Sequence, residues 1–477
     1  MPTVVASIIF AIGIAGLFFL DRGEKGRVSN ALWIPTAWLF FCATRSASDW
    51  LGVRSAAADQ ASVYLEGSPL DAAVFTVLEV VALILVISRR RRASPILRRN
   101  WVIGLFFFYA ALSISWSDFP AVAFKHWIKA IGDVIMVLIV LTEPSAADAV
   151  KRLVTRFGFV LLPLSILFIR YYPLLGRRLT NSWTMEPVGV CTQKNGLGIL
   201  CDILGLGLLW RFRSAYNDRE DPNRRRRLLA LGAVLAMIVW LLQACNSLTS
   251  ICALSMASAV MLLSTRPAFR REPALVHLLI VAVVAFSGYA LFFQSSGTLL
   301  NSLGRDSTMS GRTTGWSIML SIPNNRLVGT GYDSFWLGPR LKTLWEAFPN
   351  LPIGQAHDGY LEIFLNLGWI GVALLGLLIA TGYRNVTGGC RRDPDIGSLR
   401  IAFFLAAIVT AFTEGVFRMM TPPWIFFLLA TAAAPWMPQR RVAAVVTSTQ
   451  DLLGSGQEPD AFREGAPVGQ AGSLARR

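Results

Sequence analysis

The sequence is poor in the side chains that most often bind metal ions or cross-link a fold. It has three histidines and six cysteines among 477 residues, and the cysteines stand apart, with no CxxC pair. A zinc site or a disulfide framework needs several such residues at short spacing. We therefore interpret the cysteines as packing residues, with no disulfide and no metal implied. The loops predicted below to lie outside also lack a DxD motif or an acidic cluster that would suit Mg²⁺ or Mn²⁺.

Long polar stretches are also scarce. Hydrophobic residues make up 54% of the chain, mean hydropathy is +0.52, and the longest polar interruption, Gln294 to Asp358, covers about 65 residues. A soluble domain of ordinary size does not fit, whereas apolar runs near the roughly 20 residues that cross a membrane recur throughout. We predict an all-α, polytopic integral membrane protein of about 12–13 transmembrane helices. The predicted spans are Val4–Leu20, Ala31–Ala43, Leu70–Ser88, Trp101–Ser115, Ala123–Leu141, Val154–Tyr171, Val190–Trp210, Leu228–Leu242, Leu248–Ser264, Leu275–Phe293, Gly359–Gly382, Ile401–Thr413 and Pro422–Trp436.

These spans predict a single membrane domain over residues 1–440, in which residues 294–358 form one large outer loop. Residues 441–477 are rich in Gly, Gln, Ser, Asp and Pro and too polar to bury a core, so we predict a disordered cytoplasmic tail.

Acidic residues are too few to balance the basic ones, with 29 Asp and Glu against 45 Lys and Arg. The excess lies in short segments beside the spans: Arg89–Arg99, Arg211–Arg227 and Arg391–Arg400. This pattern is the positive-inside signature and not a nucleic-acid groove, so these segments are predicted to be cytoplasmic. The alternation of spans then places four loops outside: Thr44–Pro69, Trp116–Pro120, Tyr172–Gly189 and Gln294–Asp358.

The N-terminus lacks the basic start and small-residue cleavage site of a secretory signal peptide. Basic residues instead follow the first apolar run, at Arg22, Lys25 and Arg27. We therefore expect the first span to be retained and to begin outside.

One of the three histidines has a distinctive position. His357 lies where the large outer loop meets the next helix, whereas His126 and His277 lie near the ends of other spans. An imidazole can accept a proton from a hydroxyl near neutral pH, which suits a general base. A histidine that only caps a helix explains the position equally well. Asp358 and Glu362 could each orient the ring, although Asp358 is better read as the helix N-cap.

Two arginines in the outer loop follow glycines, as Gly304-Arg305 and Gly311-Arg312. A guanidinium donates two parallel hydrogen bonds to phosphate oxygens, and glycine lets backbone N–H groups approach an anion. The pattern fits pyrophosphate binding, and a solvated turn is the ordinary alternative.

A second basic group lies at the outer end of the predicted seventh span. Arg177 and Arg178 lie in the loop before it, and Lys194 and Asn195 lie at its outer end. Polar groups there are costly against lipid, so they either line a cavity, which we favour, or snorkel to the interface.

The fifth span carries Lys125, Lys129 and Asp133 at spacings of four, on one helix face. They could guide an anionic lipid head group, or they could form a paired stripe that joins two helices. Glu414 and Arg418, also four apart, are interpreted as a structural pair.

An apolar stripe within the outer loop predicts one more helix. It consists of Leu337, Leu341, Leu344, Trp345 and Phe348. Such a helix could lie on the membrane surface or pack against its own protein.

Several motifs together resemble a known family. SLGRDSTMSGRTTGWSIML, VGTGYDSFW and AHDGYLEIFLNLGWIGVALL are similar to the hallmark region of the O-antigen ligase and polymerase superfamily, and YYPLLGRR, GVCTQKNGLG and SWSDFPAVAFKHWIKAIGD are similar to its ExoQ-type exopolysaccharide polymerases. The resemblance runs from about Asp21 to Arg418. Asp358 stands where the family usually has asparagine, which puts a neutral amide contact at that position in doubt.

This resemblance implies a bacterial inner-membrane glycosyltransferase whose donor is an undecaprenyl-pyrophosphate-linked glycan presented at the periplasmic face. His357 matches the family's essential histidine and Arg312 matches the arginine of its GRxxxW segment. Arg177 or Arg178, and Lys194, match basic positions of less definite role. The implied partners are the lipid-linked donor, an acceptor glycan and a chain-length regulator, with no nucleic acid, nucleotide or metal required.

Two alternatives stay open at the level of sequence. A ligase would use the same site to transfer glycan to lipid A core or protein. A flippase would carry the lipid-linked glycan without reacting with it, but transporters concentrate polar groups at the membrane midplane, whereas here they collect at one end of the spans.

Overall fold

A computed structural model describes residues 2–22, 28–53, 68–180, 183–292, 308–348 and 354–435. The predicted tail, 441–477, lies outside them. The described α-helices are α1 (Thr3–Leu20), α2 (Trp33–Ala43), α3 (Ala47–Trp50), α4 (Pro69–Ser88), α5 (Arg90–Arg99), α6 (Trp101–Leu112), α7 (Pro120–Leu141), α8 (Ala146–Tyr171), α9 (Pro173–Gly176), α10 (Lys194–Asn217), α11 (Arg224–Cys245), α12 (Leu248–Ser264), α13 (Pro267–Arg271), α14 (Pro273–Phe292), α15 (Thr308–Ser321), α16 (Gly338–Ala347), α17 (Gly359–Arg392), α18 (Pro394–Thr410) and α19 (Pro422–Thr431).

Each of the thirteen predicted spans coincides with one of these helices, and six of the described helices are long and apolar enough to cross a membrane. The all-α, polytopic membrane class is therefore confirmed. The largest differences at a start are the sixth and twelfth spans, whose helices begin at Ala146 and Pro394, earlier than predicted. The seventh span instead begins later than predicted, at Lys194 and not at Val190. Gly189, at φ +57°, turns the chain just before it and packs against Ser165, so the helix starts only after this turn.

The core is built around α18. Every residue from Ile396 to Thr410 is buried, and the helix packs against α10, α12, α17 and α19. By contrast, α1 and α4 bury only 11% of their apolar spans within the protein. Long apolar helices that stay this exposed in the protein present their side chains to lipid.

Polar contacts divide between the two ends of the helices. At one end, Arg89 binds Glu143 at 2.8 Å and Arg211 binds Asp21 at 3.0 Å, which joins segments that the charge pattern assigns to the cytoplasm. At the other end, the Ser117 hydroxyl lies 2.7 Å from that of Ser334. Both groupings agree with the predicted alternation of the spans.

A break in α17 anchors the outer segment. Gly368 has φ +65° and ψ −165°, and a Cβ there would lie 2.3 Å from the carbonyl oxygen of Leu327. The backbone of α17 is bonded across this break to the outer segment, since Trp369 N–H donates to Arg326 O at 3.0 Å. The close approach requires glycine.

The apolar stripe of the outer loop forms α16 and packs against its own protein. Leu341 and Leu344 are buried in a small core with Phe335, Trp336 and Met319. This second core supports the outer ends of α15 and α17, which carry the candidate site.

Candidate active site

His357 lies directly before α17 in a left-handed backbone conformation, with φ +51°. Asp358 caps the helix as predicted, because its Oδ1 accepts hydrogen bonds from the N–H groups of Tyr360 and Leu361, each at 2.8 Å. Oδ1 of Asp358 is thus engaged in the helix cap.

The imidazole is held by Glu414. Nδ1 of His357 lies 3.2 Å from Glu414 Oε2, and Oε1 of the same carboxylate accepts a hydrogen bond from Asn195 Nδ2 at 2.7 Å. Glu414 is buried, with a side chain 9% exposed, whereas the His357 side chain is 34% exposed. These three residues form the His357 cluster, whose buried carboxylate holds an imidazole that stays open to solvent.

The cluster determines which ring nitrogen is available. Nδ1 also lies 3.3 Å from Nε2 of Gln355, but a nitrogen that carries a proton cannot accept from that amide. A charged carboxylate is the stronger partner for an N–H donor. The proton is therefore assigned to Nδ1, facing Glu414, which leaves the Nε2 lone pair free for a substrate proton.

The chain before His357 is fixed on several sides. Ala356 N–H donates to Glu362 Oε2 at 2.9 Å, and Ala356 O accepts from Trp316 Nε1 at 2.8 Å. Arg418 donates to the carbonyl of Gly354 at 3.2 Å. Glu362 thus positions the backbone and not the imidazole, and α15, α17 and the segment after α18 together set the place of His357.

Trp316 also relates Arg312 to this site. Both residues lie in α15, four positions apart, and so on one face of the helix. The side chain of Arg312 lies outside the described part of the chain, as does the whole of Arg305. Their part in anion binding stays a prediction.

The second basic group forms a hairpin next to the His357 cluster. Strand β1 (Arg177–Leu179) pairs antiparallel with β2 (Met185–Pro187), so that Arg178 lies opposite Glu186. Lys194 forms a salt bridge with Glu186 and is followed directly by Asn195 of the cluster. Arg178, Lys194 and Asn195 therefore gather at one place, whereas Arg177 alternates to the opposite face and donates to Ile169 O at 3.1 Å.

The three residues of the stripe on α7 have different surroundings. Asp133 is fully buried and accepts from Trp38 Nε1 at 2.8 Å and from Met420 N–H at 2.7 Å, which makes it a link between helices. Lys125 is exposed, and Lys129 lies with Nζ 5.9 Å from the centroid of the Phe75 ring. Within the described residues, no hydrogen bond joins either lysine to the His357 cluster.

Comparisons with known proteins show two similarities in sequence. A family model described as O-antigen ligase matches residues 231–376, from α11 into α17. The exopolysaccharide production protein ExoQ of Rhizobium meliloti (strain 1021) is 28% identical over 369 residues, which cover 72% of this chain and 79% of that protein. The predicted resemblance to the O-antigen ligase and polymerase superfamily is confirmed. The O-antigen ligase match includes α15 and His357, whereas Asn195 and Glu414 lie outside it on either side.

Glu414 and Arg418, interpreted from their spacing as a structural pair, also contact residues of distant segments. Glu414 turns to His357 and Asn195, while Arg418 Nη2 lies 3.3 Å from Asp333 and Arg418 Nε lies 3.5 Å from Glu362. A spacing of four places both residues on one helix face. It does not predict that Glu414 contacts an imidazole, or that Arg418 contacts carboxylates, from distant segments.

Asp333 is a further residue near the site, and the sequence analysis did not single it out. Its carboxylate binds Nδ1 of His126 at 2.8 Å and a guanidinium nitrogen of Arg418 at 3.3 Å. Burial alone would raise the pKa of Asp333, but the charge of Arg418 and the hydrogen bond from His126 outweigh it and lower the pKa to about 2. Asp333 thus joins α7 to Arg418, which in turn holds the segment before His357 through the carbonyl of Gly354.

Asp333→Asn is expected to destabilise the purified protein at neutral pH by roughly 2–4 kcal/mol, because Arg418 and His126 lose a largely buried carboxylate. The folded-state pKa lies below the ordinary value of about 3.9, so the carboxylate stabilises the fold above pH 4 and this contribution disappears as pH falls towards 2. Thermal unfolding in detergent between pH 7 and pH 2 measures both effects.

The matched control is Asp118→Asn, which removes an ion pair with Arg340 at the same end, from an aspartate whose side chain is 55% exposed. Exposed pairs contribute less than about 1 kcal/mol. An equal loss in both variants, or a loss for Asp333→Asn that is as large at pH 2 as at pH 7, would contradict the assignment.

Proposed function

We propose that this protein is a membrane glycosyltransferase that polymerises the repeat units of an exopolysaccharide or O-antigen. Its donor is an undecaprenyl-pyrophosphate-linked oligosaccharide, its acceptor is a second glycan, and the reaction takes place at the periplasmic face of the inner membrane without a metal ion. Membership of the O-antigen ligase and polymerase superfamily supports an enzyme of polysaccharide assembly, and the name of the ExoQ relative favours exopolysaccharide production.

The observation that carries the proposal is the His357 cluster. A half-exposed imidazole with one nitrogen bound to a buried carboxylate has the arrangement of a general base, since the carboxylate fixes the ring and stabilises the imidazolium. A structural histidine has no need of a free nitrogen facing solvent. A flippase has no need of a base at all.

The reaction follows from these roles. Nε2 of His357 removes the proton of an acceptor hydroxyl, whose oxygen then forms a bond to the anomeric carbon of the donor. The bond from that carbon to the pyrophosphate oxygen breaks, and its electron pair leaves with the undecaprenyl pyrophosphate. Attack opposite the leaving group inverts the configuration at this carbon.

The departing pyrophosphate gains one negative charge when this bond breaks, and its oxygens need cationic partners. Arg178 and Lys194 are close to the cluster through Glu186 and Asn195, and Arg312 shares the helix face of Trp316, whose indole binds the backbone beside His357. We assign the pyrophosphate to Arg312, with Arg305, Arg178 and Lys194 as further contacts. We assign Lys125 and Lys129, which lie on α7, to guiding the anionic lipid carrier.

Arg312→Ala is expected to lower glycan transfer by about 10²–10³-fold, because a donor to the departing oxygens is lost while the chain still folds. Initial rates with purified, reconstituted protein measure this. Arg326→Ala is the control, since Arg326 is an exposed arginine of the same loop. Similar rates for the two variants would remove Arg312 from the site.

The deciding experiment reconstitutes the purified full-length protein with lipid-linked oligosaccharide in the presence of EDTA. Longer lipid-linked glycans support a polymerase, and inhibition by EDTA refutes metal independence. Transfer that occurs only after lipid A core or an acceptor protein is added identifies a ligase. Glycan that crosses the bilayer unchanged identifies a flippase and overturns the proposal.

A further inference from the structure

A cavity of about 520 Å³ opens between α1, α2 and α8, at the end of the helices opposite to His357. Its lining is divided in two. Arg22, Arg152 and Arg156 lie at one end, and apolar side chains that include Phe18, Phe40 and Leu161 form the rest. A space with guanidinium groups beside apolar walls matches a molecule with an anionic head and a hydrocarbon chain.

Within the described part of the chain, no carboxylate neutralises Arg152 or Arg156. Neither Arg152 nor Arg156 forms an ion pair with a residue that the structure describes. The carboxylate among the lining residues, Asp21, is instead bound to Arg211 at 3.0 Å and to Arg227 at 3.5 Å.

Arg152 and Arg156 are moreover four residues apart on α8, so their charges repel across one turn. Arg156 is fixed in place, with its guanidinium carbon 3.7 Å from the Trp33 ring centroid and Nη1 3.3 Å from Thr36 Oγ1. Because Arg156 is held in place beside the positive charge of Arg152, the two guanidinium groups can bind an anion between them.

The position along α8 excludes the glycan donor as the occupant. From Arg152 to Tyr171, at the hairpin end, the helix rises about 28 Å, which is close to the thickness of the hydrocarbon core. A carrier whose pyrophosphate is at the His357 cluster cannot place it in this cavity. The arginine-rich loops also lie at the cavity end, which by the positive-inside rule is the cytoplasmic leaflet.

We propose that this cavity binds an anionic glycerophospholipid of the cytoplasmic leaflet. The phosphodiester lies between Arg152 and Arg156 with Arg22 at the rim, and one acyl chain lies along Phe18, Phe40 and Leu161. Bound there, the lipid fastens α1, which buries little surface in the protein, to α2 and α8. The proposal does not depend on the glycosyltransferase activity.

The test uses full-length protein in detergent, titrated with palmitoyl-oleoyl phosphatidylglycerol, the matching phosphatidylcholine, or inorganic phosphate. Native mass spectrometry should show retained phosphatidylglycerol and thermal unfolding should shift upward with that lipid alone. Arg152→Gln with Arg156→Gln should weaken its binding at least about tenfold. Arg90→Gln with Arg91→Gln removes the same charge from exposed positions at the same end and should leave binding unchanged.

Equal binding of both phospholipids, equal loss in the two double variants, or displacement of phosphatidylglycerol by inorganic phosphate would overturn the proposal. Because the cavity variant could fail to fold, wild-type protein is also labelled with phosphatidylglycerol that carries a photoreactive acyl chain. Labelled peptides are expected from α1, α2 and the first half of α8. Labels confined to other helices would refute the site without any substitution.

Discussion

His357→Ala is expected to reduce glycan transfer by roughly 10³-fold or more at normal membrane abundance, with no extracellular polymer and with lipid-linked repeat units accumulating on the outer leaflet. The reason is that the acceptor hydroxyl loses its base, a contribution of about 10²–10⁴-fold, together with the group that orients it. Cell-surface polymer, lipid-linked glycan and initial rates of the reconstituted protein are the measurements.

His277→Ala is the matched control for this prediction. His277 lies at the opposite end of the helices, where Nδ1 contacts the hydroxyl of Tyr383, so its removal changes a histidine without reaching the His357 cluster. Full activity of His357→Ala, or labelling that places position 357 in the cytoplasm, would refute both the base and the periplasmic site. A parallel loss in His277→Ala would show that the assay reports folding instead of chemistry.

Hydropathy was sufficient to predict the fold class because the membrane imposes a length and a composition on each span. Even Leu248–Ser264, which is short and carries several serines, was located to the residue. The turn that delays the start of α10 depends on a contact between Gly189 and Ser165 of another helix, and such a contact leaves no mark in local hydropathy.

The sequence indicates candidate site residues in two ways: the residue type is rare in the chain, or a polar side chain at that position costs free energy unless it has a partner. His357 stood out among three histidines, and Asn195 because an amide at the end of an apolar helix requires a partner. Glu414 did not stand out, since it lies 57 residues from His357 and has Arg418 at the spacing of an ordinary helical pair. Asp333 was missed for the same reason, because its partners His126 and Arg418 come from distant segments.

The contact between Glu414 and His357 leads to the second large effect. Glu414→Gln is expected to lower transfer by about 10²–10⁴-fold although the substitution keeps the size of the side chain. In the wild-type protein, Oε1 accepts from Asn195 Nδ2, and Oε2 faces His357 Nδ1. In the variant, Asn195 still requires an acceptor, so the amide oxygen turns to Asn195 and the NH₂ group turns to the imidazole.

That orientation makes Nδ1 an acceptor and moves the proton to Nε2, which can then no longer take a proton from the acceptor hydroxyl. Asn195→Ala combined with Glu414→Gln should recover part of the activity, because the amide is free to turn its oxygen back to His357. Glu414→Asp should also retain part, since the charge is kept. Glu346→Gln, an exposed glutamate of α16, should match the wild type.

If Glu414 has only a structural role, the variants are expected to show a different pattern of activity. Its loss would lower the amount of folded protein, Glu414→Gln and Glu414→Ala would fall together, and removal of the Asn195 amide would make the Gln variant worse. Rates per folded molecule over pH 5–9 separate the two cases. If Glu414 acts through the imidazole, the rate per folded molecule falls and is partly restored by Asn195→Ala, whereas a structural defect lowers the amount of folded protein and leaves that rate near the wild-type value.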